Sequence, residues 1–230
     1  MDKLKTYLKH PLSFVLLILI GLAAVVTVAS IIFIIIYILV NGIPNLTTDL
    51  FSLHYNSKNQ SMLPSIFNTV FITFLTLLIA VPIGIFSAVY LVEYAKKGSK
   101  LVKVIRVTTE TLAGIPSIVF GLFGFLAFVI ALGWGYSMIA GVLTLVMMVL
   151  PTIIRTTEEA LLAVPNSYRE GSFGLGAGKI RTIFKIIVPT AIPGILSGVI
   201  LAIGRIVGET AALIYTSGTV AETATSLTDS

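Results

Sequence analysis

Arg205 and Glu209 stand four residues apart inside an otherwise apolar stretch, residues 191–215, that is long enough to cross a membrane. A charged side chain at the centre of such a helix costs several kcal/mol, about 2.5–3.5 on insertion scales. Spacing of i, i+4 puts both side chains on one helix face, close enough to pair. A guanidinium held at that depth suits an anion, so the first chemistry these residues suggest is a path for a negatively charged solute. Two blander readings compete: a self-neutralising pair that only joins helices, or an arginine snorkelling to the outer surface.

The rest of the chain must supply the walls. It is 57% hydrophobic and 11% charged, with mean hydropathy +1.05, against about 25% charged in a soluble domain. The fold class expected is an all-α integral membrane protein, a polytopic helical bundle forming a single transmembrane domain over residues 1–230. Five stretches have the roughly 20 apolar residues that a span needs: residues 12–40, 66–92, 112–132, 136–154 and 191–215. The first is too long for the apolar core of a signal peptide. Gly133-Trp134-Gly135 joins the third and fourth as a tight hairpin, with Trp134 and Tyr136 suited to an interface. There is no cysteine, and His10 and His54 have no neighbouring ligands, so no metal site or thiol chemistry is expected.

The basic residues are distributed asymmetrically. Three lie before the first span (Lys3, Lys5, Lys9) and five between the second and third (Lys96, Lys97, Lys100, Lys103, Arg106). Five more lie between the fourth and fifth (Arg155, Arg169, Lys179, Arg181, Lys185), and the alternate loops hold only Lys58. The positive-inside rule puts the N-terminus and both basic loops in the cytoplasm. The net charge of +5 is therefore an orientation signal, and no nucleic-acid role is expected.

Residues 155–190 are patterned rather than linker-like. Pro165 breaks a helical continuation of the fourth span, Asn166 or Ser167 can cap a new short helix, and Gly174, Gly176 and Gly178 permit turns. Such an exposed helix suits either docking into a partner's groove or lying on the inner leaflet. Gly178-Lys179 resembles the end of a phosphate-cradling loop, but the first glycine position is Phe173 and the Ser/Thr position is Ile180. The chain thus lacks an ATP site of that kind.

Glu170-Gly171-Ser172, Gly176 and Ile186-Ile187-Val188-Pro189 match the spacing of an EAA loop, E-A-A-x3-G-x9-I-x-L-P. On that loop the chain resembles the membrane subunits of ABC importers, departing from the pattern at Gly171, Ser172 and Val188. The stretches 110–124 (ETLAGIPSIVFGLFG) and 204–213 (GRIVGETAAL) are most similar to the phosphate-importer permeases of PstA type. The resemblance implies a type I permease fold with six spans, so a further C-terminal span is expected beyond the five found. It also implies a multi-pass protein of a prokaryotic cytoplasmic membrane. The implied partners are ATP-binding cassette ATPase subunits, which carry ATP and magnesium, a second related permease and an extracytoplasmic phosphate-binding protein. Arg169, Glu170, Gly171, Ser172, Gly176 and Pro189 then form the ATPase-coupling loop. Sulfate, molybdate or phosphonate as cargo, an ion-coupled secondary transporter and a membrane scaffold are the alternatives.

In an anion path each intramembrane residue has a task. Arginine keeps its charge and binds two phosphate oxygens with its planar fork. A carboxylate at Glu209 can accept the proton that phosphate carries and sulfate lacks, and repel the fully ionised anion. From a helix start near Ala191, Arg205 lies about 21 Å along, in the outer half of the bilayer. Gly194, Gly198 and Ala202, like Gly204, Gly208 and Ala212, recur every fourth residue, which lets helices approach closely. Ser65, Thr69, Thr73 and Thr76 make a polar stripe on the second span, though threonine hydroxyls often bond back to the preceding turn. Pro116 beside Gly114 predicts a kink in the third span.

Overall fold

The computed structural model describes residues 11–53, 55–56, 59, 61–96, 98–219 and 226–228. His10, His54, Lys58, Lys97 and the three N-terminal lysines lie outside the described residues. These are helical nearly throughout, with no strand among them. Four helices are long and apolar enough to cross a membrane, or five if one bent pair counts as a span.

Helix α1 (Pro11–Gly42) starts at a proline and is apolar on every face. None of its described residues is buried, as befits a helix whose surroundings are hydrocarbon rather than a protein core. Helix α2 (Leu63–Val89) continues through a π-helical turn, Tyr90–Tyr94. Helix α3 (Lys100–Ala113) is strongly amphipathic, turning Val102 and Ile105 toward the bundle and Lys100, Lys103 and Val104 outward.

The expected third span is broken. After Ala113 the chain turns through Gly114, Ile115 and Pro116, and α4 (Ser117–Gly124) runs on through a wider turn to Ala131. The two arms meet at 102°. Pro116 has no N–H to donate and keeps Ile115 out of the helical region, so residues 112–116 cannot continue as one helix. The expected kink is a complete elbow, and α4 with its extension is only about 22 Å long.

Helix α5 (Met138–Leu162) is the axis, packed against α2, α3 and α4 and against two later helices. Leu145, Met148, Val149 and Ile153 are fully enclosed. A short helix α6 (Asn166–Gly174) follows. Helix α7 (Lys179–Thr182) then leads by a π-helical turn, Ile183–Ile187, into α8 (Val188–Val207). The turn falls just before Pro189, whose missing donor disturbs the ladder there.

Small residues set the helix spacing. A Cβ added at Gly194 would meet Ala160 at 2.6 Å, and one at Gly198 would strike Thr156, so α8 lies against α5 backbone to backbone. Gly84 on α2 faces Ile153 in the same way. The second expected set divides: Gly204 faces open space, whereas Ala212 packs on Gly121. The expected fifth span also divides, because α8 ends at Val207 and a separate α9 (Ala211–Thr216) begins after Gly208-Glu209-Thr210.

Candidate functional site

The break after Val207 removes the basis for an i, i+4 pair. Arg205 is in the last turn of α8, whereas Glu209 is beyond the helix. Its Oε1 accepts from the Ala212 backbone N–H at 3.0 Å, capping α9. The expected Arg205–Glu209 ion pair is therefore absent. Among the described residues no carboxylate lies within ion-pair distance of Arg205. The guanidinium Nη1 makes only a long contact, 3.4 Å, to Thr152 Oγ1 on α5.

With Gly198 opposite Thr156 and the helices antiparallel, Arg205 is level with Val149. That is about 16 Å from the N-terminal end of α5, and the side chain leans a further turn toward Thr152. The guanidinium thus sits near the middle of α5.

A cleft of about 250 Å³ opens beside α9 and the start of α2, walled by Ser65, Asn68, Thr69, Thr73, Glu209 and Thr210. Polar groups from three elements meet there: hydroxyls and an amide from α2, the carboxylate from the α8–α9 break, and Ser217 beyond α9. Thr69 and Thr73 donate to the carbonyls of Ser65 and Thr69 at 2.8 and 2.7 Å, so their oxygens remain acceptors toward the cleft. Thr76 does not join this wall. It is fully buried, and its hydroxyl has no hydrogen-bond partner among the described residues. Arg205 is not on the cleft's lining, so the structure brings together Glu209 and Thr73 but not Arg205.

Helix α6 carries four of the expected coupling residues, Arg169, Glu170, Gly171 and Ser172, and they divide by direction. Glu170 and Gly171 are exposed, as are Tyr168 and Phe173, and Leu175 is 91% exposed. Ser172 turns inward, where its hydroxyl lies 2.7 Å from that of Thr182 on α7. Gly176 is exposed and has φ +82°, a left-handed conformation that glycine adopts without steric cost. Its N–H donates to Phe173 O, and that of Ala177 to Ser172 O, the paired bonds that close a helix C-terminus. Pro189 lies exposed at the start of α8.

Arg169 faces away from that exposed surface. Its Nε and Nη2 donate to Glu93 Oε1 at 3.0 and 2.7 Å, Nη1 to Val164 O and Asn166 Oδ1, and Nη2 also to Leu161 O. These contacts occupy all five donors of the guanidinium. The side chains of Arg169 and Glu93 are only 16% and 10% exposed.

Glu93 carried no role in the sequence reading. The charges near the C-terminal end of α5 were also missed: Arg106 pairs with Glu158 at 2.5 Å, and Arg155 with Glu110 at 3.2 Å and Glu159 at 3.0 Å. The i, i+4 spacing of Arg155 and Glu159 was the available signal. Pairing across α3 and α5 required the elbow.

Bundle, elbow and protruding short helix together define an all-helical protein of the membrane. The family described as the binding-protein-dependent transport system inner membrane component matches residues 80–227, and the chain belongs to that family. It is a multi-pass membrane protein. It is 38% identical over 200 residues to the probable ABC transporter permease protein YqgI of Bacillus subtilis, covering 86% of this chain and 68% of that one. It is 45% identical over 140 residues to the phosphate transport system permease protein PstA 1 of Mycobacterium tuberculosis, covering 61% of this chain and 45% of the relative. For PstA of Xylella fastidiosa the figures are 36% over 178 residues, 76% and 62%. The chain thus spans about half to two thirds of the length of these relatives. An inward-facing structure of the MetNI methionine ABC transporter shares the fold, with a TM-score of 0.53 and 23% identity over 63% of this chain and 67% of that one.

Proposed function

We propose that the chain is the permease subunit of an ATP-driven importer that passes inorganic phosphate into the cytoplasm. Its N-terminus and basic loops lie on the cytoplasmic side. A second related permease completes the path, and an extracytoplasmic binding protein delivers phosphate. ATP and magnesium are bound by separate ATPase subunits that grip the outward residues of α6.

One observation carries the reading: a guanidinium at mid-height of the bundle with no carboxylate partner among the described residues. An arginine left so at hydrocarbon depth needs an anion or a water-filled path beside it. Glu209 supplies the discrimination. One of its oxygens is occupied in capping α9, and the carboxylate borders the cleft, where it can accept phosphate's proton and repel sulfate. The names of the PstA relatives and the intact spacing from Glu170 to Pro189 support the same cargo and the same coupling route.

The test is uptake of labelled phosphate by the assembled transporter, with sulfate as competitor. Arg205→Gln should lower uptake by about tenfold or more, the scale of a lost charged hydrogen bond. Glu209→Gln should let sulfate compete. Uptake that is unchanged in both variants removes them from the path.

A further inference from the structure

The guanidinium of Arg169 binds three separate elements at once. It projects from α6, takes the carboxylate of Glu93 in the last turn of α2, and takes the Leu161 and Val164 carbonyls at the inner end of α5. Those carbonyls lie at and just past the end of α5, where the helical ladder runs out; that of Leu161 also accepts from the Val164 N–H at 3.4 Å. With every donor used, Arg169 has none left for a ligand or a neighbouring subunit. Its neighbours on the same short helix, Tyr168 and Glu170, are exposed. Adjacent positions on α6 therefore do opposite things, one set facing outward and one side chain facing the bundle.

The two helices seized by Arg169 are the ones that reach the candidate path. The outer end of α2 carries Ser65, Thr69 and Thr73 of the cleft, and α5 carries Thr152, which holds Arg205. From Leu63 to Tyr94, α2 with its terminal turn is about 48 Å long, so a small displacement at Glu93 becomes a tilt at the cleft. Gly84 locked against Ile153 makes α2 and α5 move together. A second contact joins the same places: the Lys179 ammonium at the start of α7 sits 4.6 Å from the centre of the Tyr94 ring.

We infer that the Arg169–Glu93 pair is the strut that converts displacement of α6 into tilt of α2, with Arg169 acting as a positioning residue rather than as part of the ATPase-gripping surface. This rests on the importer reading above. Neutralising Glu93 leaves the exposed face of α6 intact, so an ATPase can still dock and turn over while its stroke no longer reaches the cleft. A partner-gripping role for Arg169 predicts the reverse, with hydrolysis lost as docking is lost.

The experiment uses the complete transporter in proteoliposomes and reads phosphate moved per ATP hydrolysed. Glu93→Gln should lower that ratio by about tenfold, within the range that single substitutions on a coupling route produce, while hydrolysis stays near that of the parent. The parent chain has no cysteine, so Glu93→Cys with Arg169→Cys introduces its only thiols. Joining them with a short bismaleimide should raise the ratio above that of the same protein unjoined. The strut is overturned if Glu93→Gln leaves the ratio unchanged. It is overturned equally if joining the thiols raises the yield of assembled transporter but leaves the ratio of the joined protein no higher than that of the unjoined one. A parent complex that moves no phosphate sinks the importer reading and the strut with it, whereas an active parent matched by Glu93→Gln sinks the strut alone.

Discussion

Arg169 and Arg205 are the same residue type in two opposite conditions. The first is bonded through every donor to two helix ends and a buried carboxylate; the second makes one long contact to a hydroxyl. A saturated guanidinium fixes structure, because moving it breaks several bonds at once. One with no counter-charge among the described residues is held by the surrounding fold and, on the proposed function, is left to meet an anion. Charge and burial do not separate the two roles; the partner inventory does.

Removing each side chain tests that contrast. Arg169→Ala leaves Glu93 as a buried, unpaired charge and should cost about 3–5 kcal/mol of stability, read as early loss of assembled protein on heating in detergent. Arg205→Gln breaks no ion pair and should shift stability by no more than about 0.5 kcal/mol while uptake falls. Comparable destabilisation by both would erase the distinction and make Arg205 a structural residue.

A second contrast sets the close face of α8 against its open face. Gly198→Leu would drive a side chain into Thr156 and separate α8 from α5, an overpacking cost of about 1–3 kcal/mol. Gly204→Ala meets nothing within 4 Å and should be neutral or stabilising by up to about 1 kcal/mol through helix propensity. Thermal unfolding of the two variants side by side checks this. A destabilising Gly204→Ala would mean that another surface covers that position.

What could be read in advance follows the range of the interaction. The first, second and fourth apolar runs, the Gly194–Gly198 packing face and a short helix through Tyr168, Arg169 and Glu170 are written in the local sequence, and all are present. Pro116 signalled a bend but not its size, since the angle depends on α3 finding Ile154 and Leu91 to pack against. The Arg205–Glu209 spacing misled because it presumed one continuous helix; α8 stops at Val207, and Glu209 spends one oxygen on the next helix. Thr76 had the right spacing for a polar stripe, yet packing with α5 enclosed it. Glu93 and Glu110 were unreadable because their partners lie 76 and 45 residues away.

The smallest effect belongs to the remaining charged cluster. Arg155 is half exposed and shares its guanidinium between Glu110 and Glu159, themselves 67% and 64% exposed. Glu110→Gln leaves the Glu159 contact in place, and water screens what is lost. In the isolated chain the cost should be close to nil and should shrink further with added salt. The same substitution in the assembled transporter sharpens the comparison with Arg169. These three charges flank the C-terminal turns of α5, just past the residues 136–154 expected to span the membrane. Either water or a second subunit faces them in the assembly. A cost that stays small on assembly means water; a cost that climbs toward the value expected for Arg169→Ala means that the partner closes over the cluster.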